Sequence, residues 1–98
     1  LFAEKISAEQ ADKWGLIWEA VPDKYFEATW KARAAHLAQG PTVAYKNIKE
    51  AFRASLGNSL DEQLSLEARL QKSCGSTRDF SEGITAFMQK RSAKFEGR

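Results

Sequence analysis

The 98-residue sequence contains a single cysteine, Cys74, and this scarcity excludes several classes of protein. One thiol cannot close an internal disulfide or supply a cysteine-rich metal site. Such usage is typical of reducing compartments, so we expect a cytoplasmic protein. The only histidine, His36, has no partner at the spacing of metal ligands or of an acid–base pair. We therefore interpret it as a surface or packing residue, and expect no metal site and no catalytic residue within this chain.

Long apolar runs and charge of one sign are also missing. No apolar run approaches the about 20 residues that span a bilayer, and the sequence does not open with the basic-then-apolar order of a signal peptide. Fifteen basic and thirteen acidic residues leave a net charge of +2, far from the concentrated basic face of a nucleic-acid-binding protein. We predict that neither a membrane nor a nucleic acid is the partner. Because the sequence starts with Leu1 rather than methionine, we expect a fragment of a longer protein.

No stretch alternates long enough to build a sheet, so the sequence predicts an all-α chain of four or five helices that form a single unit. Helix starts are indicated by residue pairs with the spacing of a capping box, and by Asp23 after Pro22. Glycines indicate the helix ends, and the segment GLIWEAV between the first two helices is predicted to be extended. The capping pairs are Ser7 with Gln10, Ser59 with Glu62 and Asp79 with Glu82; the ends are Gly15, Gly40-Pro41 and Gly57-Asn58.

Two further clusters have unremarkable interpretations. The acidic residues Asp61, Glu62 and Glu67 on one helix are typical of a solvated face. The tryptophans are typical of core or interface anchors rather than of a ligand cage; they are Trp14, Trp18 and Trp30.

The last helix leads directly into the cations Lys90, Arg91 and Lys94. Phe87 and Lys90 are three residues apart, a spacing that places both on one helix face. An aromatic ring can stack on a nucleotide base while an ammonium group neutralises a phosphate. A helix end also favours cations near its exposed carbonyls, so capping combined with core packing explains the same residues. Spacing alone leaves both interpretations open.

Three segments carry a family resemblance that covers essentially the whole chain. ISAEQADKWGLIWEAV, PTVAYKNIKEA and DFSEGITAFMQKRSAKFEG resemble, in order and at the same spacing, motifs of the enoyl-CoA hydratase/isomerase (crotonase) family. Within that family, SLDEQLSLEARLQKSCGSTRDFSEG is most similar to the epoxyphenylacetyl-CoA isomerases of bacterial phenylacetate breakdown. Two positions depart from the family pattern: Ala93 replaces a frequent proline, and Gln71 stands where many hydratases have an aromatic residue that lines the CoA site.

The resemblance implies that residues 1–98 form the helical C-terminal trimerisation region of a larger acyl-CoA enzyme. The catalytic core, with its oxyanion donors and acid–base residue, would lie outside this chain, so the parent protein is expected to be an enzyme and the fragment alone is not. No cofactor is implied, and coenzyme A enters as a thioester substrate. Phe87 and Lys90 match positions that contact the adenine and phosphate portions of CoA in a neighbouring subunit.

Within the family, the resemblance favours ring-epoxide isomerisation in phenylacetate catabolism, with enoyl-CoA hydration as the alternative. The main alternative outside the family is a free-standing helical interaction module without catalysis. Under the family interpretation, apolar side chains that would face the missing core, including Trp14, Trp18 and Leu66, should leave the isolated chain with large apolar patches. We therefore expect the isolated chain to self-associate. The resemblance implies that the parent forms homo-oligomers, a trimer or a dimer of trimers.

Overall fold

The computed structural model describes residues 3–98 and contains five α-helices and no strand within that range, which confirms the all-α prediction. None of these helices is long and apolar enough to cross a membrane. The helices are α1 (Ala8–Lys13), α2 (Asp23–Ala38), α3 (Thr42–Ser55), α4 (Leu60–Gly75) and α5 (Arg78–Met88). The chain divides into two compact units, one up to Ala34 and the other covering Ala35–Arg98.

The first unit begins with the predicted cap at Ser7, whose hydroxyl accepts a hydrogen bond from the Gln10 N–H at 3.2 Å. Helix α1 ends in a Schellman motif: the Gly15 N–H donates to the Asp12 carbonyl at 2.8 Å, and the Leu16 N–H donates to the Ala11 carbonyl at 2.9 Å. Gly15 has φ +71°, a left-handed conformation that glycine adopts at little cost.

The segment that follows Gly15 was predicted to be extended, and this is wrong for residues 16–18, which form a bend. The carboxylate of Asp12 explains the bend, because it accepts a hydrogen bond from the Ala20 N–H at 2.9 Å and so draws the chain back toward α1. Helix α2 then starts at Asp23 itself, so this carboxylate lies in the first helical turn rather than at the predicted cap. An acidic residue is favourable at either position because both lie near the positive end of the helix dipole.

In the second unit, α3 and α4 pack as an antiparallel pair. The Nδ2 group of buried Asn47 donates to the Leu70 carbonyl and to Cys74 Sγ, each at 3.1 Å, while Gln63 Nε2 donates to the Ala51 carbonyl at 3.3 Å. Leu66 is only 7% exposed, so its predicted exposure is wrong: it faces into this unit. The hydrogen bonds of these polar side chains and the packing of Leu66 fix the register of α3 against α4.

Ser59 and Glu62 form the predicted capping box at the start of α4. The Ser59 N–H donates to Glu62 Oε2 at 2.8 Å, and the Glu62 N–H donates back to the Ser59 hydroxyl at 3.4 Å. Two of the otherwise unpaired amides at the helix start are thereby satisfied, which is why this boundary could be found from the sequence.

Helix α5 starts differently from the prediction. Thr77, not Asp79, is the cap, and its hydroxyl accepts the Phe80 N–H at 3.1 Å. The buried Asp79 instead holds the terminal segment, residues 92–98: its two carboxylate oxygens accept the Glu96 N–H at 2.7 Å and the Gly97 N–H at 2.9 Å. Asp79 and Glu82 thus have the spacing of a capping pair, but the Asp79 carboxylate holds the terminal segment against α5 instead of capping the helix.

The terminal segment contains a glycine that cannot be replaced without strain. Gly97 has φ +77°, and a Cβ atom at this position would lie 2.6 Å from Thr42 Oγ1. We expect Gly97→Ala to destabilise the second unit by about 1–2 kcal/mol, because both the backbone conformation and the contact oppose a side chain. Urea unfolding and amide exchange of Glu96 and Gly97 measure this loss.

Gly83→Ala provides the matched control. Gly83 lies inside α5, and an added Cβ would meet Phe95 Cε1 at 3.7 Å, an ordinary contact. This substitution should raise stability by roughly 0.5–1 kcal/mol through helix propensity. If Gly97→Ala were as stable as the unsubstituted chain, the described position of the terminal segment would be wrong.

Candidate functional site

Phe87, the first predicted binding residue, lies in the last turn of α5 with 82% of its surface exposed. It borders a groove of ≈ 400 Å³ within the second unit, a volume in the range of small-molecule sites. The groove is mostly apolar, and its lining includes Val43, Ala44, Phe80, Ile84 and Phe95. The phenyl ring is therefore available to an external planar partner.

Lys90, the second predicted residue, does not share a helix face with Phe87, because α5 ends at Met88 and Gln89 is its C-cap. Lys90 lies beyond the cap with φ +53°. The two residues remain adjacent all the same, since the Lys90 N–H donates to the Phe87 carbonyl at 3.1 Å. The structure thus brings them together through a turn rather than through helical periodicity.

This turn has the same hydrogen bonds as the end of α1. The Lys90 N–H bonds to the Phe87 carbonyl, and the Arg91 N–H bonds to the Ala86 carbonyl, both at 3.1 Å. The left-handed position is held by glycine in α1, at Gly15, but by lysine here. A side chain in this conformation costs roughly 1–2 kcal/mol relative to glycine. Such strain at an exposed residue points to a role for the side chain rather than for the backbone.

Glu82 holds the chain on the far side of Lys90. Its carboxylate accepts hydrogen bonds from Arg91 Nη1 at 2.6 Å, from Arg91 Nη2 at 2.9 Å and from the backbone N–H of Lys94 at 2.8 Å. Arg91 Nε donates to Gln89 Oε1 at 2.7 Å. We call Glu82, Arg91 and the Lys94 N–H the Glu82 clamp. The clamp restrains the chain from Arg91 to Lys94, immediately after Lys90.

The clamp also determines which cations are available to a ligand. Hydrogen bonds from Arg91, and from the Lys94 backbone, lower the pKa of Glu82 to about 2, and the same carboxylate raises the pKa of Arg91. Both groups are therefore charged at neutral pH. Within residues 3–98, Arg91 is ion-paired while Lys90 and Lys94 form no salt bridge. Of these three cations, the ammonium groups of Lys90 and Lys94 are therefore left for an external anion, and Lys90 is the nearer of the two to Phe87 in sequence.

The other candidates lie at the surface of the described chain. His36 is exposed in the last turn of α2, and Trp18 is 85% exposed. Asp61 and Glu67 lie on the exposed surface of α4, as expected for a solvated face. In the described part of the chain, no three histidine, cysteine or acidic side chains come close enough to hold a metal ion.

The enoyl-CoA hydratase/isomerase family model matches residues 1–98. The chain belongs to this family. It is 59% identical over 98 residues to a probable enoyl-CoA hydratase from Rhodobacter capsulatus, and 42% identical over 98 residues to a 1,2-epoxyphenylacetyl-CoA isomerase from Escherichia coli. It covers 38% and 37% of these relatives, respectively, and both alignments include 100% of the chain.

Solved structures of the family agree with the fold. The chain superimposes with a TM-score of 0.89 on an enoyl-CoA hydratase/isomerase from Mycobacterium abscessus, at 35% identity, over 95% of this chain and 36% of that one. The crystal structure of an enoyl-CoA hydratase from Streptomyces coelicolor gives the same TM-score at 28% identity, over 100% of this chain and 36% of that one. The chain therefore spans well under half of the length of these relatives.

Sequence reasoning missed the contacts that Glu82 makes beside the candidate site. Glu82 and Arg91 are nine residues apart and on opposite sides of the helix end, so no helical period relates them. One signal was available: Thr77 is itself a good N-cap residue, and a cap there would have left Asp79 and Glu82 without a capping role.

Proposed function

We propose that this chain is the C-terminal part of an acyl-CoA hydratase/isomerase, in which it contributes subunit contacts and part of the coenzyme A site. The family match along the entire chain supports the enzyme class. The observation that carries the site assignment is the strained backbone of Lys90, which forms no salt bridge within residues 3–98 and whose N–H bonds to the carbonyl of the exposed Phe87. Coenzyme A combines an adenine base with phosphates, and this pair of side chains is complementary to both.

The position of Lys90 matters because helix α5 alone repels phosphate. The carboxyl end of a helix carries a partial negative charge, so anion sites normally lie at the opposite end. An ammonium group beyond the last turn reverses the local sign of charge. In the proposed site, Phe87 stacks on adenine while Lys90 binds phosphate, and the thioester extends toward the rest of the enzyme.

Two reactions are candidates for the enzyme. Isomerisation of a ring epoxide on phenylacetyl-CoA is supported by the Leu-Asp-x-Gln-Leu-x-Leu-Glu run in α4 and by the 42% identical isomerase. Hydration of an enoyl-CoA double bond is supported by the 59% identical probable hydratase. The enzyme containing this chain should be assayed with both thioesters under identical conditions. Turnover of neither would contradict the proposed enzyme class and favour a helical interaction module without catalysis.

Substitution of Lys90 separates ligand binding from helix capping. Lys90→Gly should raise stability by about 0.5–1 kcal/mol, because glycine accepts φ +53° without strain and this gain exceeds the extra backbone entropy that glycine loses on folding. The same change removes a charge-assisted contact of about 1.4 kcal/mol, which corresponds to a tenfold increase in the Kd for CoA. Thermal unfolding and isothermal titration of the enzyme with CoA measure the two effects.

Two further variants control for strain and for net charge. Lys90→Ala should lose the same affinity without the gain in stability, and the loss should shrink at high salt because screening weakens the original contact. Lys72→Ala, in the last turn of α4, removes one charge elsewhere and should leave the Kd unchanged. If the Lys90→Gly enzyme were more stable and its Kd for CoA were unchanged, Lys90 would serve only to end the helix and would not bind CoA.

The exposed apolar surface supports the proposed role in subunit contacts. Within residues 3–98 the buried apolar residues are Leu66 and Ala86, while many large apolar side chains are at least half exposed. Examples are Trp14, Trp18, Phe52, Leu56 and Phe87. Monomeric proteins rarely leave such extended patches in water. We expect the 98-residue chain to self-associate at micromolar concentration, as measured by sedimentation velocity; a strict monomer that binds no hydrophobic dye would contradict this.

A further inference from the structure

The left-handed conformation of Lys90 has to be held by its surroundings, because it is unfavourable for a residue with a side chain. The two hydrogen bonds that close the turn involve the N–H groups of Lys90 and Arg91, each donated to a carbonyl in the last turn of α5. In α1 the equivalent bonds form around a glycine. At Lys90 an additional restraint is needed to offset the conformational cost, and such strain persists only where neighbouring contacts fix it.

The Glu82 clamp supplies this restraint. A bidentate pair joins Glu82 to Arg91, the residue directly after Lys90, and a third hydrogen bond joins the same carboxylate to the Lys94 N–H. The Glu82 side chain is 24% exposed and the Arg91 side chain 39% exposed, so the pair is only partly shielded from solvent, and the bidentate geometry rather than burial restrains the chain. Arg91 is held on its other sides by Gln89 Oε1 and by the Ser92 carbonyl, the latter at 3.1 Å.

The clamp has a second consequence for the charge presented to a ligand. An arginine fork binds phosphate well, and Arg91 directly follows Lys90. Because Glu82 engages both terminal nitrogens of Arg91, this guanidinium is neutralised within the protein. An anion bound near Phe87 would then be met by the ammonium of Lys90 rather than by the guanidinium.

We propose that Glu82 is a positioning residue for the coenzyme A phosphates: it holds Arg91 away from the ligand and keeps Lys90 in the left-handed turn beside Phe87. This inference rests on the proposed function. It adds a residue that touches no ligand and acts through another side chain. It also predicts that the effect of Glu82 on ligand binding depends on Lys90.

A double-mutant cycle in the intact enzyme tests this dependence. The enzymes compared are the unsubstituted protein, Glu82→Gln, Lys90→Ala and the double variant, each titrated with CoA. Glutamine keeps the size of the side chain and an acceptor for the Lys94 N–H but removes the charge that pairs with Arg91. Glu82→Gln alone should raise the Kd about three- to tenfold, and in the Lys90→Ala background it should change the Kd by less than twofold.

Kinetics and amide exchange provide readouts that a purely structural role would not reproduce. Glu82→Gln should raise KM for the acyl-CoA several-fold with kcat at saturation nearly unchanged, because the contact lies far from the reacting thioester. Exchange of the Arg91 amide should accelerate, while exchange at Asn47 in the α3–α4 pair should remain slow. These measurements also show that the variant is folded.

The outcomes separate this inference from the proposed function. If Lys90→Ala weakens CoA binding but Glu82→Gln does not, or does so equally in both backgrounds, Glu82 does not act through Lys90 and the inference is wrong. Tighter binding in Glu82→Gln would also overturn it, because a released Arg91 would then be the better phosphate ligand. If Lys90→Ala and Phe87→Ala both leave the Kd unchanged, the proposed CoA site itself fails, and the inference fails with it.

Discussion

Replacing Phe87 with alanine should raise the Kd of the enzyme for CoA by roughly 5- to 150-fold. This range corresponds to the about 1–3 kcal/mol that stacking of a base on an aromatic side chain contributes. The ring is 82% exposed, so its removal leaves no cavity in the second unit and should change stability little. Isothermal titration with CoA, and with a CoA fragment that lacks the adenosine portion, measures the loss. The fragment should bind equally well to both enzymes.

Controls for this prediction separate stacking from general hydrophobicity. Phe87→Tyr retains an aromatic face and should retain most of the affinity. Phe52→Ala removes an equally large ring from α3 that is 73% exposed, and should leave CoA affinity unchanged in an enzyme whose sedimentation velocity shows the same assembly. Turnover at saturating substrate should fall much less than affinity, since adenine is remote from the thioester. If the Phe87→Ala enzyme bound intact CoA with the same Kd as the unsubstituted enzyme, Phe87 would not be part of the CoA site.

Replacing Asp79 with alanine should destabilise the second unit by about 3 kcal/mol. The carboxylate is 3% exposed and accepts two backbone hydrogen bonds, from the Glu96 and Gly97 amides. Hydrogen bonds to a charged group contribute about 1.5–3 kcal/mol each, and the amides of the terminal segment would lose their partner. Urea unfolding should show the loss of stability. Fast amide exchange at Glu96 and Gly97 should show release of the terminal segment.

Asp79→Asn should have an intermediate effect because its amide oxygen still accepts one of the two hydrogen bonds. Asp61→Ala is the matched control: it removes an acidic residue from the exposed first turn of α4 and should cost far less. Unchanged stability and slow amide exchange in Asp79→Ala would mean that the terminal segment is held by other contacts, such as those of Phe95 with α5.

The helices could be predicted from the sequence wherever their boundaries are set by neighbouring residues. The Ser59–Glu62 box and the Ser7 cap are local arrangements, and both are present. The start of α5 shows the limit of this reasoning. Asp79 and Glu82 have the spacing of a capping pair, yet Thr77 is the cap. The two carboxylates instead accept hydrogen bonds from backbone N–H groups 17 and 12 residues away in sequence. Side chains that can serve either as caps or as tertiary acceptors are assigned only by the fold.

The candidate site was partly predictable for a related reason. The proximity of Phe87 and Lys90 follows from their separation of three residues, whether the chain continues as a helix or turns. The left-handed backbone of Lys90 could not be predicted, because glycine is the usual residue there and lysine carries no signal for it. Burial of Leu66 was missed because α4 has leucines on more than one side, and the sequence alone does not show which side meets α3.

Lys90 has a consequence for attempts to stabilise this protein by redesign. Replacing a residue that has positive φ with glycine, or with the residue most frequent at helix ends, is a common route to higher thermal stability. Applied to the second unit, such a procedure would choose Lys90 among its first substitutions and would gain stability from it. The same substitution would remove the proposed phosphate contact. Melting temperature would therefore be a misleading guide to function at this position, and a redesign should hold Lys90 fixed.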